Sequence, residues 1–321
     1  MKMLLLGDDG LLALPLVRQA HAAGHEVFLF TQATLALPDG TTLVRGDRAQ
    51  LPRYAAHLRE LRPDVVIDLS ARTGQDMLTL LELFDNIAWR IVLASSFQVY
   101  RAWTNFARLD TGDILPGNQS EESPLRRDDL GPELPLFDAS SSWSIVRLPW
   151  VFGPHDPQQH VWQFVHQVDA KRPYILLSPE HANWRVSFCY SENAAQALLL
   201  AATENAAAND VFNVAEPTAE PLGEWAHRLA NAASYRGKIL VVPQKYCPPH
   251  LRFEQFDFRH DVALDSGKIR RTLGYGERIT LRQAIRDTIA HDRAAAQPYA
   301  GPFANDFAAE DATLKKLGLI V

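Results

Sequence analysis

Residues Met1 to Ala13 read MKMLLLGDDGLLA, and this stretch decides the fold. Met3 to Leu6 is an unbroken apolar run of strand length, which belongs in a sheet covered on both faces. It ends in Gly7, with Gly10 and Ala13 following at three-residue steps before a helical pattern. In a strand-turn-helix unit the first glycine permits the tight turn and the second lets an anion approach the backbone. A small third residue lets helix and strand pack closely. Backbone N–H groups and the positive end of the helix dipole then face whatever sits above the turn, a setting suited to a diphosphate. Two carboxylates, Asp8 and Asp9, stand inside it. A carboxylate beside a diphosphate costs about 1 kcal/mol in a water-like medium and several at lower dielectric. Two readings follow: the pair turns to solvent, with Asp9 as a helix N-cap, or the anion site is reshaped.

Outward from this unit the pattern repeats. MLLLG (3–7), EVFLFT (26–31), TTLVR (41–45), DVVIDL (64–69), RIVLAS (90–95) and WSIVRL (143–148) are apolar or β-branched runs. Amphipathic stretches such as LLALPLVRQAHAAG (11–24) and AQLPRYAAHLREL (49–61) separate most of them. Strands alternating with helices predict an α/β fold with a Rossmann-like, doubly wound parallel sheet. Residues 100–142 lack periodicity and are rich in turn formers, predicting an irregular excursion with short helices at most. After Pro154 the order changes to a helix near 156–170, strands YILLS (174–178) and RVSFCY (185–190), and a helix ENAAQALLLAAT (192–203). The expected division is a dinucleotide-binding domain over 1–155, with a return near 186–204, and a smaller α/β substrate domain over 156–321. The tail from Ala294 is expected to cross the surface before a last helix, DATLKKLG (311–318).

Composition narrows the function. The 321 residues carry a net charge of −6, with 47% hydrophobic and 22% charged residues. That excludes the basic surface a nucleic-acid backbone requires. No apolar run reaches the ~18 residues of a membrane span, and no small-residue cleavage site follows the first strand, so a cytoplasmic location is expected. Cys189 and Cys247 make no disulfide framework and read as buried thiols. No set of residues stands out as a metal site. At the end of the second strand an acid would accept from ribose hydroxyls and an arginine would hold a 2′-phosphate. Thr31 and Gln32 stand there and select neither NAD nor NADP. Asp47 is placed to reach an adenine amino group, and Arg48 to neutralise phosphate charge.

Taken together, the Gly7 turn, GHEVFLF (24–30), RGDRAQLP (45–52), VVIDLSAR (65–72), VLASSFQVY (92–100), SIVRLPWVFGPHDP (144–157), DVFNVAEPTAEPLGEWAHRLANAA (210–233) and ALDSGKIRRTLGYGERITLRQAIRDTI (263–289) run nearly end to end. In order and spacing they resemble an extended short-chain dehydrogenase/reductase of the NAD-dependent epimerase/dehydratase type, in an atypical form. The resemblance implies a nicotinamide coenzyme, with Leu11, Leu12, Leu69, Ser70 and Ala71 joining Gly7, Asp9, Gly10, Thr31, Gln32, Asp47 and Arg48 as binding positions. It also implies a serine, a tyrosine and a lysine four residues after the tyrosine, the tyrosine acting as acid–base. Ser95 and Ser96 fill the serine segment. No lysine lies between Lys2 and Lys171, and the only tyrosine between Ser96 and Arg147 is Tyr100, with Thr104 four positions on. The sequence RRDDLGPELPLFDASSS (126–142) stands where the tyrosine-lysine helix should run.

The catalytic candidates are therefore Ser96, Tyr100 and His155, the last in the GPHD turn after the sixth strand. The substrate-side candidates are Ser95, Trp184 and Arg185, the guanidinium suiting a carboxylate or phosphate. Three functions stay open: an NAD(P)-binding epimerase/dehydratase-like or reductase-like biosynthetic enzyme with a degenerate triad, a cofactor-independent cyclase, lyase or isomerase, and a non-catalytic ligand sensor or scaffold. A small-molecule substrate is the expected partner, and a homodimer is left open.

Overall fold

Apolar runs of this length are buried most completely in a sheet with helices on both faces. The computed structural model describes residues 1–7, 10–115, 117–295 and 305–320. Its strands are β1 (Lys2–Leu6), β2 (Glu26–Thr31), β3 (Thr42–Arg45), β4 (Val65–Asp68), β5 (Arg90–Ser96), β6 (Ser142–Leu148), β7 (Trp150–Phe152), β8 (Tyr174–Leu177), β9 (Phe188–Tyr190), β10 (Asp210–Asn213) and β11 (Lys238–Val241). Seven form one sheet in the order β10-β6-β5-β4-β1-β2-β3, with every pairing parallel. Strand order reverses at β1, between β2 and β4, and ligands of open α/β sheets bind in the crevice beyond such a switch point.

Alternation along β1 shows the double winding. Met3 and Leu5 enter one core with helices Ala13–Ala22 and Ser191–Thr203, while Leu4 and Leu6 enter the other with helix Gly74–Phe84. All four side chains are fully buried, and each such burial contributes about 1.5–3 kcal/mol. In register, Leu6 lies beside Phe30 on one side and Asp68 on the other. The chain therefore leaves the sheet at Gly7, Gln32 and Leu69 along a single edge.

The six expected strands of the sheet are all present. The seventh, β10, pairs with β6 and carries the return past the expected 204 to Asn213. Arg90 anchors that return by donating to the carbonyl of Ala201 at 3.0 Å and of Glu204 at 2.5 Å. The run 185–190 is a strand only from Phe188, and Arg185 and Val186 make single bridges to Pro221 and Val262. Within 100–142 lie the short helices Arg101–Phe106 and Glu133–Leu136. Two small parallel pairs, β11-β8 and β7-β9, complete the strands. Around them a third, aromatic-rich core gathers Phe152, Trp184, Phe188 and Trp225. Both cysteines are free and buried, and burial pushes both thiols up. The last helix is Phe307–Lys316, while the expected tail course at 296–304 lies outside the described residues. Among the described residues no helix is long and apolar enough to cross a membrane.

Candidate active site

A cleft of about 650 Å³ lies along the carboxyl edge of the sheet, above the switch point. Its floor is the turn after β1. Gly7 has φ 80° and donates its N–H to the Phe30 carbonyl at 2.8 Å. A Cβ at this position would lie 2.1 Å from Ser70 Oγ and 2.2 Å from Ser70 Cβ, so only glycine fits. Gly10, at φ 116°, continues the turn, and helix Ala13–Ala22 starts three residues later. The two acids, Asp8 and Asp9, lie outside the described residues, and the N-cap position of the helix is Leu12 and not the expected Asp9.

Gly7, Leu11, Leu12, Thr31, Gln32, Arg48, Leu69, Ser70 and Ala71 all face this cleft. Asp68, fully buried at the end of β4, organises part of that wall. Its Oδ1 accepts from the backbone N–H groups of Ser70 and Ala71 at 2.9 Å each, and its Oδ2 from Arg48 at 2.7 Å. Arg48 donates also to the Asp76 carbonyl at 2.9 Å and is thereby fixed beside the cleft. Asp47 differs from expectation: it caps the following turn by accepting from Ala49 N at 2.9 Å and is not on the cleft wall.

At the other end, Ser96 lines the cleft, and its Oγ accepts from Gln98 N at 3.2 Å, leaving the hydroxyl proton to be donated. Ser95 Oγ donates to Glu133 Oε1 at 2.5 Å. Glu133 is fully buried and takes two further donors from Arg147, at 3.0 and 2.7 Å. Burial works against the Arg147 charge, and the Glu133 carboxylate outweighs it, holding the guanidinium above its usual range. Arg147 also donates to the Tyr100 phenol at 3.0 Å, and that phenol donates to Asn213 Oδ1 at 2.7 Å.

This network corrects the expectation for Tyr100. The side chain is fully buried and off the cleft wall, its oxygen is taken up by Arg147 and Asn213, and burial pushes the phenol up to about 12. His155 is also displaced. At φ 67° it faces helix Leu281–Ala295, its ring 4.6 Å from that of His291, in a separate cavity of about 220 Å³. Trp184 is 2% exposed, stacks on Phe106 at 4.3 Å and donates to the His260 carbonyl at 2.9 Å, which makes it core. Arg185 donates to the Ala219 carbonyl at 3.1 Å and likewise does not reach the cleft. The cleft wall away from the glycine turn includes instead Gln98, Arg126, Trp150, Asp156 and His160. Sequence reading passed over Asp156 and His160, although HDPQQH (155–160) carries an acid four residues before a histidine.

No family model matches the chain. A curated protein, the uncharacterized protein y4nL of Sinorhizobium fredii, is 28% identical over 166 residues. The match covers 45% of this chain and 46% of that protein, so it spans about half of the relative's length. Among solved structures, UDP-glucose 4-epimerase of Thermotoga maritima with UDP-glucose superposes with TM-score 0.72 at 14% identity, covering 92% of this chain and all of that one. UDP-glucose 4-epimerase of Thermus thermophilus in complex with NAD gives 0.69 at 20% identity, with coverage of 92% and 100%. dTDP-glucose 4,6-dehydratase of Bacillus anthracis in complex with NAD gives 0.71 at 14%, with 92% and 97%. The chain has the fold of these epimerases and of this dehydratase.

Proposed function

We propose that the cleft binds a nicotinamide dinucleotide and that the chain is an epimerase/dehydratase-like or reductase-like enzyme acting on a small polar substrate. One observation carries the reading: a turn over the switch point in which Gly7, at positive φ, can bear no side chain. Two of the similar structures hold NAD and one holds UDP-glucose, which supports the same ligand class here. The turn that follows Gly7, with the Leu11 backbone, would hold the diphosphate, Thr31 and Gln32 the adenosine ribose, and Leu69 to Ala71 the adenine side. A nicotinamide, when bound, accepts or returns hydride. This chain's own residues contribute the Ser96 hydroxyl as a donor toward a substrate oxygen and Arg48 as fixed positive charge.

A second reading, a cofactor-independent cyclase, lyase or isomerase, draws on the withdrawal of Tyr100 and the absence of lysine between Lys2 and Lys171. One experiment separates them. NADH and NADPH are titrated into the protein while nicotinamide fluorescence is followed, and UDP-glucose and dTDP-glucose are then assayed for conversion with and without coenzyme. Saturable binding with coenzyme-dependent turnover supports the first reading. Conversion with no coenzyme affinity selects the second.

A further inference from the structure

Among the described residues the cleft wall carries no tyrosine and no lysine, and it does hold another titratable pair. Asp156 and His160 both line it, with side chains only 3% and 7% exposed. The carboxylate is held by two backbone donors: Oδ1 accepts from Gln158 N at 2.9 Å, and Oδ2 from His160 N at 2.8 Å. The same Oδ2 lies 2.9 Å from Nδ1 of the His160 ring. An ionised carboxylate only accepts, so Nδ1 carries the proton of the neutral ring and Nε2 carries the lone pair. Trp150 packs on the ring at a centroid distance of 5.1 Å and Phe188 at 6.3 Å, which fixes its plane. Trp150 also meets Phe97, the neighbour of Ser96, at 6.4 Å, so the histidine and the serine share one aromatic patch. Nε2 has no hydrogen-bond partner among the described residues, and it is not sealed from solvent as Nδ1 of His181 and of His260 is.

We infer that His160 is the acid–base group of this cleft, with Asp156 as its positioning residue. Nε2 takes the proton of a ligand hydroxyl: the O–H bond breaks, an N–H bond forms, and the imidazolium charge is balanced by Asp156. In reverse the imidazolium returns the proton to the ligand oxygen. A carboxylate that fixes tautomer and orientation is a general device for making imidazole a base. The inference rests on reading the cleft as a ligand site and applies to redox and non-redox chemistry alike.

The test is made on the intact protein. Long-range proton–nitrogen spectra of nitrogen-15-labelled protein at pH 8 should show His160 protonated at Nδ1 and bare at Nε2, a preference that Asp156→Asn abolishes. Peptide mapping after diethyl pyrocarbonate treatment should find His160 carbethoxylated, at least tenfold more slowly in Asp156→Asn. His160→Gln should keep NADH affinity within threefold while any UDP-glucose or dTDP-glucose turnover falls 100-fold or more in kcat, the scale of a lost acid–base group. An Nε2-protonated ring, a His160 inert to the reagent, or unchanged turnover in His160→Gln overturns the assignment. Loss of NADH binding by the unaltered protein, with the tautomer and reactivity as expected, refutes the coenzyme reading and leaves the base in place.

Discussion

Replacing Gly7 with alanine probes the turn on which the site rests. The added Cβ would lie 2.1 Å from Ser70 Oγ and 2.2 Å from Ser70 Cβ, less than van der Waals contact, so one chain segment must move. Overpacking of this kind costs about 1–3 kcal/mol. A left-handed φ of 80° adds about 1–2 kcal/mol for any residue with a Cβ. The stiffer unfolded chain of alanine returns about 0.4–1 kcal/mol. The net expectation is a loss of about 1–5 kcal/mol, read by urea denaturation. Ser70 is not free to yield, since its N–H and hydroxyl both bond Asp68 Oδ1, at 2.9 and 3.2 Å. In Gly7→Ala/Ser70→Gly the overlap disappears and only the backbone strain remains, so the cycle should show coupling of about 1–3 kcal/mol. A Gly7→Ala protein within about 0.5 kcal/mol of the parent, or a cycle without coupling, refutes the reasoning.

Glu133→Ala leaves the Arg147 charge buried without its partner and should cost about 3–5 kcal/mol by chemical denaturation; Ser95→Ala, which removes one hydrogen bond to Glu133, should cost about 0.5–3 kcal/mol. For Tyr100 the folded value of about 12 lies above the unfolded value of 10.0. Its stabilisation is therefore complete below pH 10 and disappears as pH climbs from 10 to 12, a change of about 2–3 kcal/mol at about 1.4 kcal/mol per unit. Tyr100→Phe should flatten stability across that window in denaturation series at fixed pH. Asp292, pushed up to about 7 by burial and then by the Asp156 charge, works in the same direction at lower pH. Its contribution is present below pH 3.8 and lost as pH rises to 7, so Asp292→Asn should raise the melting temperature at pH 8 relative to the parent more than at pH 4.

The sheet was legible in the sequence because each strand is a nearly continuous apolar run, a signal strong enough to survive without its neighbours. β10 was missed as part of the sheet because DVFN is short and takes its place only when helix Ser191–Thr203 lays it beside β6. The glycine turn was legible for the same local reason: its steric demand is a property of adjacent residues. The substrate side was not, since it depends on contacts between distant segments. Trp184 reads as a substrate-side residue until Phe106 is found 4.3 Å away, and Tyr100 reads as an acid until Arg147 and Asn213 claim its oxygen. In HDPQQH the histidine after Gly153-Pro154 draws the eye, yet the turn holds His155 at φ 67° against His291, and His160 is the one that lines the cleft.

The central claim is that the crevice above Gly7 receives a dinucleotide, and a crystal structure of the protein grown with saturating NADH tests it most directly. The account predicts continuous density for the diphosphate against the backbone between Gly7 and Leu12, with the nicotinamide reaching toward Ser96. Well-ordered crystals in which this crevice stays empty, or in which the coenzyme sits elsewhere on the surface, would contradict it.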